Sequence, residues 1–188
     1  EALHLEDATA YIFDSQFEAA HHAIRAASSR FTIDSSPKSQ QASQLTSVPS
    51  PVEIVTPLAN KDYASIYLQG TSYAVIGAAT LQGTSVFMIN GPATLDIFGA
   101  DLIGDKRVSS IAVMAKKDAS TTIPGSFHSV TLTDFGSICS SLSTLEPKMA
   151  FMLPTIQMLD RSRTPPLHPN EINAGNGTAM CSAPIGGF

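Results

Sequence analysis

Nucleophilic catalysis needs a hydroxyl or thiol, a base within hydrogen-bond reach, and donors that can hold an oxyanion. His128 and Asp134, with one of Ser72, Ser85 or Ser126, supply those residue types. No Gly-x-Ser-x-Gly elbow accompanies them. Ser and Thr make up roughly a fifth of this chain, so such trios arise by chance. His128 reads first as a strand residue following the Pro124-Gly125 turn. A Ser–Lys pair is the second arrangement, because Lys116 and Lys117 follow an apolar stretch downstream of Ser72 and Ser85. A lysine acting as base must be desolvated to lose its proton near neutral pH. Two adjacent lysines followed by Asp118 look instead like a solvated strand end.

Metal and acid chemistry fare no better. Glu18 and His22 stand four apart, and with His21 they would share one side of a helix. Zinc wants a third or fourth ligand, for which only His4 or Asp14 is near. An exposed Glu18–His22 pair is the ordinary reading. Asp96, Asp101 and Asp105 flank Gly99 and Gly104 and fit turns before they fit a carboxylate pair. The glycines at 91, 99 and 104 match neither a dinucleotide-binding fingerprint nor a P-loop. Asn176-Gly177-Thr178 has the form of an N-glycosylation acceptor, relevant only in a secretory route. Arg161 and Arg163 with Lys148 make a weak basic patch. Accordingly no catalytic, cofactor-binding or metal-ligating residue is assigned, and no cofactor is expected.

The bulk composition points elsewhere. The chain has 188 residues, 43% hydrophobic and 14% charged, with a net charge of −5. An average soluble protein carries about 25% charged residues. A surface rich in neutral hydroxyls costs less to bury against another protein than one rich in ammonium and carboxylate groups. Coat and shell proteins share this habit with secreted β-domains, which points to a virion or extracellular setting. A nucleic-acid footprint would be basic and clustered, so direct nucleic-acid binding is not expected. No apolar run approaches the roughly 20 residues of a membrane-spanning helix. Glu6, Asp7 and Asp14 stand where a secretory leader would be basic and then apolar. Cys139 and Cys181 allow one disulfide at most, and a bridge would require an oxidising compartment.

Elements must place these residues. Ser15-Gln16-Phe17-Glu18 has the form of a capping box. Phe17, Ala20, Ile24 and Ala27 then follow at helical spacing, predicting a helix that ends near Ser28 to Arg30. Thr9 to Phe13 reads as a short strand before it. Residues 35–51 (SSPKSQQASQLTSVPSP) lack periodicity and read as a linker or arm that would gain order by lying on its own domain or a neighbouring chain.

Beyond Pro51, strand signals recur at Val52–Thr56, Tyr63–Leu68, Ser72–Thr80, Thr84–Ile89, Ala93–Phe98, Val108–Ala115 and Phe127–Thr133, separated by turn formers. Ser137 to Leu145 reads as a short helix. Leu68-Gln69-Gly70-Thr71-Ser72 recurs as Leu81-Gln82-Gly83-Thr84-Ser85. Two copies fall short of the three a solenoid needs, so they read as two equivalent strand entries in one sheet.

The expected fold is therefore β-rich α+β: one N-terminal helix with a mainly antiparallel sheet, sandwich or barrel-like. Its parts are an N-terminal element (1–34), an arm (35–51), a β-rich core (52–157) and a C-terminal arm (158–188). The expected function is a non-enzymatic module that contacts other protein subunits in a larger assembly, such as a viral coat, shell or surface-decorating subunit. A Ser-based hydrolase is the alternative, and a secreted ligand-binding β-domain the third reading.

Overall fold

A computed structural model describes residues 1–34, 52–56, 63–108, 110–116, 122–135, 137–141, 148–152, 156–159 and 178–179. Its organising local feature is the bend. Asp7, Asp14, Ser28, Ser129 and Asp134 have positive φ of 44–59°, and Gly70, Gly91 and Gly99 have positive φ of 60°, 129° and 76°. Each stands between two short strands and turns the chain sharply. Asp, Ser and Gly suit the task, because a short polar side chain tolerates the left-handed region and glycine has no Cβ to clash there.

Three strands and three bends make one turn of a coil. The first turn holds β1 (Leu3–Glu6), β2 (Thr9–Ile12) and β3 (Gln16–Glu18); the second holds β4 (Ile24–Ala27), β5 (Arg30–Ile33) and β6 (Val52–Val55). The third consists of β7 (Ala64–Gln69), β8 (Tyr73–Ile76) and β9 (Ala79–Gln82), and the fourth of β10 (Ser85–Asn90), β11 (Thr94–Phe98) and β12 (Asp101–Ile103). The fifth contains β13 (Ile111–Ala115), β14 (Thr122–His128) and β15 (Val130–Thr133). The sixth contains β16 (Ser137–Ser141), β17 (Lys148–Met152) and β18 (Ile156–Leu159), and β19 (Thr178–Ala179) follows.

Every third strand pairs in parallel with the one a turn away. This gives sheet A (β1-β4-β7-β10-β13-β16), sheet B (β2-β5-β8-β11-β14-β17, with β19 antiparallel on β17) and sheet C (β3-β6-β9-β12-β15-β18). The molecule is a three-sided parallel β-helix. Strands from residues 1–34 and from 52–157 lie in the same three sheets. Among the described residues no helix is long and apolar enough to cross a membrane.

Register stacks like on like. Ile12, Ile33, Ile76 and Ile97 align through sheet B. Ile54, Leu81, Leu102 and Leu132 align through sheet C, and Ile24, Ile66, Phe87 and Val113 through sheet A. All twelve are buried in one core enclosed by the three sheets. Each ladder sets branched side chains about 4.8 Å apart along the coil, the spacing of paired strands. The bends stack as well. A Cβ on Gly91 would lie 2.7 Å from the Gly70 nitrogen of the turn before, so the two bends touch backbone to backbone.

This overturns the α+β expectation, with its N-terminal helix and antiparallel sheet. Ser15 is no capping-box serine: its Oγ donates to the Phe13 carbonyl at 2.7 Å, and its own carbonyl accepts from the Glu53 N–H of the next turn. Phe17 lies on β3 and Ile24 on β4, with an exposed Ala20 in the connection between them. The apparent helical spacing spans a bend between two strands. The Ser137 to Leu145 helix is likewise replaced by β16 over Ser137–Ser141. Ser72–Thr80 is two strands, β8 and β9, joined across Gly77-Ala78. The Leu-Gln-Gly-Thr-Ser copies do not enter one sheet: the first leads from A to B, the second from C to A. Residues 35–51 and nearly all of 158–188 lie outside the described residues.

Replacing Ile76 by Ala should cost about 2–5 kcal/mol in urea unfolding, the range for an aliphatic core truncation. Gly91→Ala should cost more than Gly99→Ala. Both have positive φ, but a Cβ at Gly99 meets nothing within 4 Å, leaving only the left-handed penalty of about 1–2 kcal/mol. Equal losses for the two would contradict the stacked-bend geometry.

Candidate functional site

Strand alternation gives each sheet an inner and an outer row. On sheet A the row His4, Arg25, Tyr67, Met88, Met114 is in register and lies between core-facing neighbours on each strand. It therefore faces outward. Met88 and Met114 are nonetheless buried, in a second apolar cluster with Ala64, against which Tyr67 and Ile111 pack. Beside that cluster runs a polar strip. Arg25 Nε donates to Gln69 Oε1 at 2.8 Å, and Gln69 Nε2 and Asn90 Nδ2 each donate to the Tyr67 hydroxyl at 3.2 Å. Glu1 completes it, 3.4 Å from Arg25 and 3.9 Å from His4 Nδ1. The Asn90 Oδ1 atom is buried without a hydrogen-bond partner among the described residues.

Rings gather at one end of this face. His22, in the connection leading to β4, has its ring centroid 4.6 Å from Tyr67 and 5.5 Å from Tyr63, while His21 stacks on Tyr63 at 4.4 Å. His22 Nδ1 accepts the Ala64 N–H at 3.0 Å. That bond fixes the tautomer with the proton on Nε2. Burial pushes the His22 pKa below its ordinary value of 6.5, aided by Arg25 and Lys116 and opposed by Glu1. The imidazole is thus neutral at pH 7. Its basic nitrogen is occupied by backbone, so it is not poised to take a proton from a substrate. Tyrosines, amides and one neutral imidazole thus border a buried thioether cluster, with no nucleophile placed among them.

Ser72 and Ser85, two of the serines considered for catalysis, stand apart from the candidate bases. Ser72 Oγ is buried in the bend between β7 and β8. It lies 2.6 Å from the Gln69 carbonyl and 3.1 Å from the Ala26 carbonyl, and accepts the Ser29 N–H at 3.3 Å. Tyr73 pairs with Thr94 and Phe98 with His128, so Ser72 and His128 sit toward opposite ends of sheet B. The offset is about 16 Å along the strands before the turns between them are counted. Ser85 opens β10 in sheet A and is buried with no partner for its Oγ among the described residues. Ser126 shares β14 with His128, and Asp134 forms a bend after β15. Lys116 donates its N–H to Ile89 beyond the end of β13, whereas Ser85 pairs with Ile111 at that strand's start. No Ser–Lys dyad forms there, and Lys117 lies outside the described residues.

The remaining candidates are similarly dispersed. Asp96 accepts the Tyr73 hydroxyl at 2.9 Å, a bond that raises the Tyr73 pKa. Asp101 opens β12, and Asp105 holds the exposed Arg107 at the next bend, so the three carboxylates form no pair. Glu18 ends β3, and without the helix it loses the one-sided arrangement with His22. Among the described residues no three His, Cys, Asp or Glu side chains gather for a metal. Cys139 is on β16, while Cys181, Arg161, Arg163 and Asn176 lie outside the described residues.

Sequence reasoning missed the His22–Tyr67–Met88 face because its members come from different turns. The His22–Ala64 bond joins residues 42 apart. The bare turn, seen in the Ala8–Ser29 bond, is 21 residues long. That step is the signal that would have placed Tyr67 and Met88 side by side. Comparison with protein-family models, curated proteins and solved structures finds no match.

Ser72→Ala should cost about 1–3 kcal/mol, the penalty for leaving buried backbone groups such as the Ser29 N–H without a partner. Lys116→Ala should change stability by less than about 0.5 kcal/mol, as for other surface replacements. Thermal or urea melts of the two variants would check this ordering.

Proposed function

We propose that this chain is a non-enzymatic structural and interaction module of a larger protein assembly, in the manner of a coat, shell or surface-decorating subunit. The observation that carries the reading is the stacked coil with its hydroxyl-rich outer rows. On sheet B these are Thr9, Arg30, Tyr73 and Thr94, then Tyr11, Thr32, Val75 and Asp96. On sheet C one row is Gln16, Glu53, Thr80, Asp101 and Thr131. Hydroxyls, amides and rings cost little to desolvate and can be paired across an interface. The fixed strand spacing holds them in flat arrays. The separation of Ser72 from His128, and of Ser85 from Lys116, weighs against the hydrolase reading.

Size sets the mode of contact. Four residues of strand by six turns is about 13 by 24 Å, or roughly 300 Å² per sheet face. A standard stable interface buries about 800 Å² per partner. One face alone is therefore insufficient, and a partner must engage two faces, or one face together with the arm sequences at 35–51 and 158–188.

Sedimentation velocity across micromolar concentrations, with cross-linking mass spectrometry, tests the proposal. We expect species heavier than the 19.8 kDa chain, with cross-links mapping to more than one face. A strictly monomeric boundary throughout, or stoichiometric fluorophosphonate labelling of one serine that is lost on its replacement by alanine, would refute it.

A further inference from the structure

We infer that His22 is an acid-sensitive clasp: neutral, it holds the start of β7 against the second turn of the coil, and protonated, it lets that start go. In a parallel ladder the N–H of each strand residue finds a carbonyl on the neighbouring strand. At Ala64, the first residue of β7, the acceptor is instead the imidazole Nδ1 of His22, in the connection just before β4. An imidazole accepts at Nδ1 only while it is neutral. Once protonated, both ring nitrogens are donors, and the Ala64 N–H then faces an N–H.

The groups around the ring decide how readily this happens. Arg25 on β4 and Lys116 after β13 oppose a positive charge on His22, whereas Glu1 favours it. The Tyr63 and Tyr67 rings lie 5.5 and 4.6 Å away, and His21 touches the same Tyr63. Tyrosine faces attract a cation, but the half-buried site removes water from it, and desolvation is the largest influence. Protonation is therefore costly while the clasp is closed and ordinary once it opens. A group with its pKa depressed in the closed state contributes its full local stability above about pH 6.5. That contribution shrinks as pH falls toward the depressed value.

The consequence reaches beyond one hydrogen bond. Ala64 is a wholly buried member of the Met88–Met114 cluster, and Tyr67, which carries the His22 ring, receives the Gln69 and Asn90 amides. Freeing the start of β7 would loosen the outer face of sheet A and leave the Ile–Leu ladder of sheet C in place. Acid would thus act on one face of the coil and spare the body.

Residue-resolved amide exchange on the full chain tests this, with each rate referred to its intrinsic value at that pH. The Ala64 amide should lose protection between pH 7 and 5.5, by up to about tenfold, the ceiling set by an open-state pKa near 6.5. Leu81 in sheet C should hold steady. His22→Gln keeps an acceptor but cannot titrate, so its Ala64 profile should be flat, while His21→Gln should behave as the parent. Constant protection in the parent, or the same loss in His22→Gln, would overturn the clasp. An imidazole nitrogen NMR titration of the unmodified chain is an independent check: the Nε2–H tautomer titrating below 6.5 supports the clasp, and a pKa at or above 6.5 refutes it.

Discussion

A single turn of this coil cannot satisfy its own backbone. Each strand is only three to seven residues long, and its N–H and C=O groups point along the coil axis toward the turns before and after. An unpaired, buried peptide group costs as much as a lost hydrogen bond, so turns are stable only as a stack. Stacking in turn demands that every turn bend at the same places, since one bend out of step would shift whole strands out of register. The positive-φ residues Asp7, Ser28 and Gly70, with Gly91 above them, meet that demand at the corner between sheets A and B. The contact of Gly91 with the Gly70 backbone leaves no room for a side chain between the two bends.

The same constraint explains the polar interior at the corners. Ser29 and Ser72 are buried yet bonded to one another's turns, and Thr56 and Ser65 both donate to the Gln82 carbonyl, at 3.0 and 2.9 Å. These hydroxyls occupy places where the chain leaves one sheet for the next and the ladder is interrupted. Part of the abundance of Ser and Thr is therefore corner chemistry. Threonines such as Thr9, Thr32, Thr80 and Thr131 lie instead on outward rows, where they give the faces a hydroxyl-rich character.

Much of the strand content was legible. Val52–Thr56, Tyr63–Leu68, Thr84–Ile89 and Ala93–Phe98 each contain a strand, because β-branched and aromatic residues bounded by Gly, Pro and Asn report themselves locally. The N-terminal segment misled because its strands are three or four residues long, too short to display a period of two. The bend at the connection before Ile24 resets the phase, so Phe17, Ile24 and Ala27 imitate a helical face. The coil itself was hidden for a different reason. Its 21-residue step is interrupted between the second and third turns, and the eye-catching Leu-Gln-Gly-Thr-Ser copies are spaced by less than a turn, since they mark different corners. The face carrying His22, Tyr67, Met88 and Met114 could not be assembled without that step.

The ladder of Ile12, Ile33, Ile76 and Ile97 offers the most direct test of the stacked coil. In a methyl-labelled sample, nuclear Overhauser contacts should link each isoleucine to the next one in that series, at about the 4.8 Å spacing of paired strands. The pairs Ile12–Ile76 and Ile33–Ile97, two turns apart at about 10 Å, should be much weaker. Equally strong skipped contacts, or contacts absent between neighbours, would contradict the in-register parallel coil.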